Sequence, residues 1–299
     1  MTRCVRTISS GAGVRRFDAP QRLPIDLSAV RLRQHHPNIH AERDGHLATI
    51  TIDRPESKNA CTGDMWVALG ATFRELSYSG TRAIVLTGAG GEFCSGADLG
   101  GSGSSNTGRG ASASFGTMVD AMRVLGDVVL AIHDCPVPVV AQVDGTCVGA
   151  GLGLALAADL TWCSDRARFS AIFAKRGLSL DFGTSWLLRQ RVGVHKAKEL
   201  AFTATMLSGA EAFELGFVNA VVPAAELDGA VRAVVDTIAA GPPIAISSTK
   251  RELDHASTVS LAQALEIEAL AQSVNAQTDD LREALMAFIE RRPPTFTGR

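Results

Sequence analysis

The sequence predicts an α/β protein, and three observations support this fold class. Aliphatic and β-branched runs of strand length, such as residues 83–87 and 137–143, each end in glycines that lead into a helical pattern. Such strand–turn–helix units recur at similar length through much of the chain. After the sequence GPP at residues 241–243, every remaining pattern is helical. We therefore expect an α/β core at residues 41–240 and a helical C-terminal region at residues 241–299.

Residues 1–40 are predicted to form an extended or disordered N-terminal extension. The segment is rich in arginine and poor in acidic residues, and it has no apolar stretch of the kind found in signal peptides. A transit peptide has a similar bias toward arginine and serine, so this alternative stays open. Because the segment lacks the apolar periodicity needed to offset the entropy of ordering, we expect its deletion to leave the melting temperature and the oligomeric state nearly unchanged.

The elements of the core can be placed in order from local patterns. Residues 46–52 alternate as a strand, and the polar loop DRPESKNA at residues 53–60 introduces a helix that reaches residue 77. The Gly/Ser-rich residues 100–114 cannot hold a fixed shape alone and are interpreted as a lid or a surface loop. Ser208 and Glu211 form an S-x-x-E capping box that starts a short helix. Further segments follow in order: a helix at 115–134, strands at 160–164 and 217–223, and C-terminal helices at 245–256, 261–276 and 279–292.

Composition narrows the class of protein. The chain has 299 residues, of which 46% are hydrophobic and only 5% aromatic, so we expect a large core of Ala, Val, Leu and Gly. A net charge of −2 argues against nucleic acid as the main partner, and no apolar run reaches the ~18 residues of a membrane span. The six cysteines show no CxxC pair and are interpreted as reduced core residues of a cytoplasmic protein, with no metal site. A nucleophilic role for Cys94 or Cys147 stays open, although no His is placed near them by sequence.

Two glycine-rich turns are candidates for a site that binds anionic oxygen. The run VDGTCVGAGLGLALAADL at residues 143–160 follows a strand and opens a helix, where unpaired N–H groups and the helix dipole favour an anion. Its spacing matches no common phosphate motif, and tight packing of the helix on the sheet would also explain the glycines. The run AIVLTGAGGEFCSGADL at residues 83–99 ends in a similar turn. Two strand ends that each deliver an N–H beside glycine are what an oxyanion hole for a carbonyl substrate requires.

These turns and other segments, in the same order, resemble the crotonase (enoyl-CoA hydratase/isomerase) superfamily over residues ~45–299. The resembling segments are DRPESKNA, FCSGADL, CPVPVVAQVDGTCVGAGLGLALAAD, GLSLDFGTSWLL, LSGAEAFELGFVNAVVP and RRPPTFTG. The resemblance implies a spiral of ββα units with C-terminal helices that mediate trimer formation, so a homotrimer or a dimer of trimers is expected. It also implies an acyl-CoA thioester as the substrate, with coenzyme A as part of that substrate and no separate cofactor.

The resemblance further implies roles for individual residues. It assigns the two oxyanion donors to the backbone N–H groups of Ala97 and Ala150. It places the loop around Arg54 and Lys58 along the phosphates and pantetheine of coenzyme A. It places the C-terminal Phe296, with Arg291 or Arg292, at the adenine end of a neighbouring site as a stacking and phosphate contact. Asp98 is expected to anchor a turn or loop as well. The implied coenzyme A contacts are Arg54, Lys58, Ala97, Asp98, Leu99 and Phe296.

The sequence departs from a hydratase at both catalytic glutamates. Family members carry them in patterns such as GGGCEL and FGQPE, whereas this chain reads GAGLGL and FSAIF, which puts Gly153 and Phe173 at the two positions. Neither residue can transfer a proton. One carboxylate remains, Asp181 in GLSLDFGTSW, a stretch that resembles the one carrying the lone catalytic carboxylate of Δ3,Δ2-enoyl-CoA isomerases.

Several interpretations of Asp181 remain open at this point. A single carboxylate suffices for a 1,3-proton shift, because it ends each cycle as it began, so an enoyl-CoA isomerase is the leading hypothesis. Asp181 could instead be the nucleophile of a hydrolase or dehalogenase, which needs a separate base, and none of the candidate histidines can be placed at the site from sequence: His133, His195 and His255. The protein could also bind acyl-CoA without catalysis. Finally, Asp181 could simply cap a helix that begins near Gly183.

Overall fold

The computed structural model describes residues 32–98 and 115–299. Residues 1–31 of the predicted extension, the Gly/Ser-rich segment and Leu99 lie outside the described residues. The strands, helices and contacts given below are those of these two ranges.

The described strands form two sheets. The larger sheet has six strands in the order β1-β2-β3-β4-β6-β9, with β1 and β2 antiparallel and the other neighbours parallel. The smaller sheet has the order β5-β7-β8, with β5 parallel and β8 antiparallel to β7. The strands are β1 (Ile39–Asp44), β2 (Leu47–Ile52), β3 (Ala83–Gly88), β4 (Val139–Val143), β5 (Thr146–Val148), β6 (Leu160–Ser164), β7 (Arg168–Ser170), β8 (Leu207–Ser208) and β9 (Ala220–Val222).

Helices cover the larger sheet and build the C-terminal region. They are α1 (Gly63–Leu76), α2 (Phe115–His133), α3 (Ala150–Ala157), α4 (Thr184–Thr203), α5 (Gly209–Glu214), α6 (Leu227–Ala240), α7 (Pro243–Ala256), α8 (Leu261–Asn275) and α9 (Asp279–Glu290). The α/β class and the helical C-terminal region predicted from the sequence are confirmed.

The central strands are buried on both faces, which explains their continuous apolar runs. In β3, Ile84 and Leu86 join the larger core with α1 and α3, whereas Ala83 and Val85 face a smaller core beneath α6. Every residue of α3 is buried. A helix that is apolar all round belongs in the middle of a molecule, and α3 therefore places the glycine-rich turn at its start deep in the core.

Helix α1 begins at Gly63, two residues later than the end of the loop DRPESKNA suggests. Its N-cap is Thr62, whose hydroxyl accepts a bond from the Met65 N–H. Asn59 adopts a left-handed backbone conformation and its side chain donates to the carbonyl oxygens of Ala89 and Glu92. Asn59 therefore ties the loop to the turn after β3. The predicted capping box of Ser208 and Glu211 is present at the start of α5.

The boundary of the N-terminal extension shifts toward the N-terminus. Ile39 at the start of β1 is only 1% exposed, and the Asp53 N–H donates to the carbonyl of Asn38. Glu75 of α1 accepts bonds from the Arg33 N–H at 3.0 Å and from His35 at 2.8 Å. Residues 32–40 are therefore part of the folded unit, contrary to the boundary expected at residue 40, because β1 completes a hairpin with β2.

The C-terminal region turns away from the core at the predicted break GPP. Helices α6 and α7 meet there at an angle of 109° (measured from residue 224). In the described residues no single helix is long and apolar enough to cross a membrane, although this bent pair would pass by length and composition. The last residues fold back onto the start of α9, where the buried Asp280 accepts bonds from the N–H groups of Thr297 and Gly298.

Candidate active site

A short parallel bridge brings the two glycine-rich turns together. Cys94, which follows β3, pairs with Cys147 of β5. The Cys94 N–H donates to the Thr146 carbonyl at 2.8 Å, and the Val148 N–H donates to the Cys94 carbonyl at 3.1 Å. The chain after β3 thus runs beside β5, and both segments then turn at the same end.

Two glycines permit the close approach of these turns. Gly96 has φ +96°, and a Cβ there would lie 3.1 Å from the Val148 carbonyl oxygen and 3.3 Å from the Ala150 nitrogen. A Cβ at Gly151 would lie 2.1 Å from the Cys94 carbonyl oxygen. Glycine is therefore needed at both positions for a steric reason and not only for turn flexibility. A side chain at either position would separate Ala97 from Ala150.

The main-chain N–H groups of Ala97 and Ala150 are available as donors. Ala150 is the first residue of α3, so its N–H has no acceptor within the helix. Within residues 32–98 and 115–299, neither N–H donates to a backbone carbonyl. Two such donors side by side, one of them at a helix N-terminus, can bind the oxygen of a polarised carbonyl group.

Hydrogen bonds join the loop before α1 to the glycine-rich turn that follows β3. The Ser95 N–H donates to the Lys58 carbonyl at 3.0 Å, and the Cys61 N–H donates to the Gly96 carbonyl at 2.9 Å. Arg54 forms an ion pair with Asp98 at 2.8 Å and also donates to the Ala60 carbonyl. The structure thus places Arg54, Lys58, Ala97 and Asp98 together, with Asp98 as the loop anchor expected from the sequence.

Glu92 is a residue of this site that sequence analysis missed. Its carboxylate accepts the Thr146 N–H at 2.5 Å and forms an ion pair with Lys58 at 3.1 Å. Partial burial opposes ionisation, but the bonds from Thr146 and Lys58 prevail and hold the pKa of Glu92 below its usual value. Glu92 therefore clamps the first turn to β5. Its position beside the turn was visible in the sequence, but its partner Thr146 is 54 residues away.

Asp181 lies at the tight turn that starts α4. Phe182 and Gly183 both have left-handed backbone conformations, with φ +47° and +68°, and the Phe182 ring packs on Trp66 of α1 at 4.5 Å between centroids. The N-cap residue of α4 is Gly183, and no side chain caps the helix. The alternative that Asp181 caps this helix is therefore wrong.

The Asp181 carboxylate has no stabilising partner in the described residues. Its Oδ1 atom is buried without a hydrogen bond. Burial alone raises the pKa of Asp181 to about 6. A carboxylate that is poised near neutral pH and lacks an ion-pair partner is suited to accept and return a proton.

Helix α3 leaves no room for a carboxylate at the position of the first hydratase glutamate. A Cβ at Gly153 would lie 2.6 Å from both the Cβ and the carbonyl oxygen of Phe182. The turn that carries Asp181 therefore occupies the space that a side chain at this position would need. At the second position, Phe173 is 5% exposed within a single 3₁₀ turn, residues 172–176.

The cysteines near the turns are poor candidates for nucleophiles. Cys61, Cys94 and Cys147 are all buried. Burial raises the pKa of Cys147 and of Cys61 well above the usual thiol value, so their reactive thiolate forms are disfavoured. The prediction that these cysteines are reduced core residues agrees with the five free thiols of the described residues.

None of the histidines considered as a base forms a hydrogen bond with Asp181 in the described residues. His133 pairs with Asp134 at the end of α2 and packs edge-on against Trp186 of α4, with 5.7 Å between the ring centroids. His255 contacts the Arg251 carbonyl in α7. His195 is exposed on α4. Burial raises the pKa of Asp181, and its Oδ1 atom accepts no hydrogen bond from a histidine of the described residues. The hydrolase or dehalogenase alternative thus lacks a placed base in the described residues.

Other predicted contacts lie at the far end of the chain. Phe296 is partly exposed in the C-terminal tail that folds onto α9. Arg292 is paired with Glu283 and Glu290, and Arg291 is exposed. Whether Phe296 contacts coenzyme A depends on a neighbouring subunit, so this role stays a prediction. Of the described residues, no group of three or more His, Cys, Asp or Glu could hold a metal ion.

Comparison with known proteins identifies the family to which the chain belongs. Residues 42–299 match the sequence model described as Enoyl-CoA hydratase/isomerase. The chain belongs to the enoyl-CoA hydratase/isomerase family. A probable enoyl-CoA hydratase of Rhodobacter capsulatus is 37% identical over 253 residues, covering 85% of this chain and 95% of the relative. A peroxisomal Delta(3,5)-Delta(2,4)-dienoyl-CoA isomerase of Arabidopsis thaliana is 33% identical over 264 residues, covering 86% and 95%.

Solved structures lead to the same family. The crystal structure of a putative enoyl-CoA hydratase from Streptomyces coelicolor superimposes with a TM-score of 0.84 at 33% identity, covering 93% of this chain and all of that one. The crotonase fold expected from the sequence is thereby confirmed. As a member of the enoyl-CoA hydratase/isomerase family, the protein is an enzyme that processes acyl-CoA thioesters. The relatives include both hydratases and isomerases, so their names do not select a reaction.

Proposed function

We propose that this protein is an enoyl-CoA isomerase in which Asp181 is the one proton carrier. The observation that carries the proposal is the partly buried Asp181 carboxylate, whose Oδ1 atom is buried without a hydrogen bond and whose pKa is raised to about 6 by burial. It lies on the turn that fills the space beside Gly153. The names of two relatives agree with this reaction class: the dienoyl-CoA isomerase of Arabidopsis thaliana and, at 32% identity, a 1,2-epoxyphenylacetyl-CoA isomerase of Escherichia coli.

The position of Gly153 relates Asp181 to the oxyanion donors. Ala150 and Gly153 are three residues apart in α3 and so lie on one face of the helix, about 4.5 Å apart along its axis. The turn that carries Asp181 packs on Gly153. A thioester carbonyl bound at Ala150 would therefore direct its acyl chain along the face on which the Asp181 turn lies.

The proposed reaction is a 1,3-proton shift. The ionised Asp181 removes a proton from C2 of a 3-enoyl-CoA, and the electron pair of that C–H bond delocalises onto the thioester oxygen. The N–H groups of Ala97 and Ala150 stabilise the resulting enolate, a contribution of several kcal/mol at such sites. Protonated Asp181 then returns the proton to C4, and the double bond forms between C2 and C3. The carboxylate is regenerated, so one acid–base group is enough.

Hydration is not expected from this arrangement. Adding water to a conjugated thioester needs a base for the water and an acid for the α-carbon, and Gly153 and Phe173 stand at the two family positions. Because the Phe182 main chain occupies the space beside Gly153, a carboxylate cannot reach the water position from α3.

The test compares wild type with Asp181→Asn on a panel of straight-chain, branched and aromatic 3-enoyl-CoA substrates. Formation of the conjugated thioester is followed by its ultraviolet absorbance, and the product is identified by mass spectrometry. Asn keeps the shape but cannot accept a proton, so the rate should fall about a hundredfold or more while coenzyme A affinity stays similar.

Asp134→Asn is the matched control, because it removes a carboxylate that pairs with His133 on the surface. It should leave the isomerisation rate unchanged. Rapid hydration of 2-enoyl-CoA by the wild type, or undiminished isomerisation by Asp181→Asn, would contradict the proposed function. Binding of acyl-CoA with no turnover of any substrate would instead identify a non-catalytic homologue.

A further inference from the structure

Two buried polar atoms on the turn before α4 lack hydrogen-bond partners. One is Oδ1 of Asp181 and the other is Oγ1 of Thr184, a residue that is fully buried. Native proteins pair nearly all buried polar groups, because an unpaired one loses its bonds to water without compensation. Two such atoms within four residues call for a functional explanation.

The spacing of these residues is one at which side chains normally pair. In the capping box of this same chain, the Ser208 hydroxyl lies 2.7 Å from the carboxylate of Glu211, three residues later. Ser260 and Gln263 repeat the arrangement at 2.9 Å. Asp181 and Thr184 have the same separation with carboxylate and hydroxyl exchanged, and the Thr184 N–H already donates to the Asp181 carbonyl at 2.9 Å.

The backbone of the turn explains why the pair is open here. Phe182, which is not a glycine, has φ +47°, a conformation that costs free energy and persists where the surroundings enforce it. In this conformation the Thr184 hydroxyl faces α3, 3.3 Å from the position that a Cβ of Gly153 would take. Rotation of the Thr184 side chain, or relaxation of the turn, would redirect the hydroxyl.

The residues around the Asp181 carboxylate do little to stabilise its ionised form. The turn packs against Gly153 of α3, Trp66 of α1 and Val129 of α2, none of which carries a charge. From the end of α2, the titratable His133 packs on Trp186, two residues beyond Thr184, and pairs with Asp134. Burial raises the pKa of Asp181, and no described residue donates a hydrogen bond to its Oδ1 atom. An acyl chain bound over Asp181 would also remove the water that reaches the carboxylate, leaving the ionised form poorly stabilised.

We propose that Thr184 is a positioning residue for Asp181, an inference that rests on the proposed function. When an acyl group covers the site, the Thr184 hydroxyl turns from Gly153 toward Asp181 and donates a hydrogen bond to its ionised carboxylate. The bond replaces lost solvation and favours the ionised form, which is the form that accepts the proton. In the free enzyme the two side chains remain apart.

The proposal predicts different effects of a Thr184 substitution on the pH profiles of kcat and of kcat/KM. The acidic limb of kcat/KM reports the pKa of Asp181 in the free enzyme, and that of kcat reports its pKa in the substrate complex. Replacing Thr184 with Val removes the donor at nearly constant volume. The limb of kcat should then move up by about one pH unit, while the limb of kcat/KM stays in place.

A direct titration tests the inference without turnover. The infrared band of the protonated Asp181 carboxyl, assigned by its loss in Asp181→Asn, is followed against pH in the free enzyme and in the complex with hexanoyl-CoA, which has no double bond to isomerise. In the complex, Thr184→Val should titrate about one unit higher than wild type, a tenfold change in ionisation. The free enzymes should titrate alike.

Three further variants control for structure. Thr184→Ser keeps the hydroxyl and should restore the wild-type titration, and Ser185→Ala removes the adjacent exposed hydroxyl and should have no effect. Thr184→Ala removes the donor without adding bulk, should Val not fit. The melting temperature of Thr184→Val should be unchanged or higher, because an unpaired hydroxyl is replaced by a methyl group.

The outcomes of this inference and of the proposed function can be told apart. Equal titration of wild type, Thr184→Val and Thr184→Ala in the hexanoyl-CoA complex would overturn the role of Thr184, even if Asp181→Asn abolishes isomerisation. A difference already present in the free enzymes would also overturn it, because the bond would then not depend on the acyl group. Undiminished isomerisation by Asp181→Asn would end the proposed function, whereas the infrared result would still stand.

Discussion

At the scale of single residues, the Asp181 carboxylate destabilises the fold wherever it is ionised. Its folded pKa of about 6 lies above the usual 3.8, so the folded chain favours the protonated form. The cost is absent below about pH 4, where the unfolded chain is also protonated, and grows as the pH rises toward 6. Above about pH 6 it is present in full. The proposed catalytic base is therefore retained at the expense of stability.

Asp181→Asn should accordingly be more stable than wild type at pH 7.5. The amide cannot ionise, so we expect a gain in the free energy of unfolding of about 1–2 kcal/mol, discounted because solvent reaches part of the residue. The gain should vanish near pH 4. Urea denaturation at both pH values measures it, with Asp134→Asn as the surface control. A variant less stable than wild type at pH 7.5 would show that the carboxylate makes a favourable contact.

At the scale of elements, the contact between α3 and the start of α4 sets the shape of the site. Gly153 allows the Phe182 main chain to approach α3, and Phe182 in turn packs on Trp66 of α1. The contact leaves no room for a side chain at the position of the first hydratase glutamate, and Asp181 directly precedes the residue that makes it. The lack of a side chain at Gly153 thus has two effects. It removes the first family carboxylate, and it allows the turn before α4 to lie against α3.

Gly153→Ala should disrupt this contact. Its Cβ would meet the main-chain oxygen of Phe182 at 2.6 Å, so we expect destabilisation of about 1–3 kcal/mol and loss of isomerisation. Gly126→Ala in α2 is the matched control, because a Cβ there has nothing within 4 Å. It should be neutral or stabilising by up to about 1 kcal/mol. Equal stability of the two variants in thermal denaturation would show that the turn before α4 moves freely.

A second prediction at this scale concerns the contribution of strand β1 to stability. A chain that begins at residue 41 loses the buried Ile39 and the contacts of residues 33 and 35 with Glu75. Its melting temperature should be several degrees below that of a chain that begins at residue 32. The expectation from sequence that residues 1–40 are dispensable as a whole is replaced by this one. Equal melting temperatures would show that the hairpin edge contributes little.

At the scale of the whole molecule, the C-terminal helices α8 and α9 carry large apolar side chains that the described part of the chain leaves exposed. No residue of α8 is buried, and its exposed side chains include Leu261, Leu265 and Leu270. On α9, Phe288 is 85% exposed and Ile289 is 72% exposed. Exposed apolar surface of this extent marks a contact with another protein surface. We propose that these helices join copies of the chain into a trimer or a dimer of trimers.

Light scattering of the full chain at micromolar concentration should therefore report three or six subunits. Phe288→Asp places a charge in the proposed interface and should shift the mass toward the monomer. Tyr78→Asp is the control, because Tyr78 is similarly exposed, at 81%, but lies on the loop after α1. A monomeric wild type would rule out the assembly, and an unchanged mass for Phe288→Asp would exclude α9 from the interface.

Features that depend on local chemistry could be predicted from the amino-acid sequence. The α/β order, the two glycine-rich turns, the capping box at Ser208 and the helical C-terminal region all arise from short-range patterns that the structure reproduces. The absence of carboxylates at Gly153 and Phe173 needs no coordinates either. Such features are readable because periodicity, turn residues and caps act over a few neighbouring residues.

Features that depend on residues far apart in the chain could not be predicted without the packed fold. Glu92 becomes a clamp because Thr146, 54 residues away, presents an N–H to it. Asp181 was open to interpretation as a helix cap until the structure showed Gly183 at the cap and a buried Oδ1 without a partner. The pKa of that carboxyl is raised by burial among residues of separate helices, and burial is a property of the packed chain rather than of any segment within it.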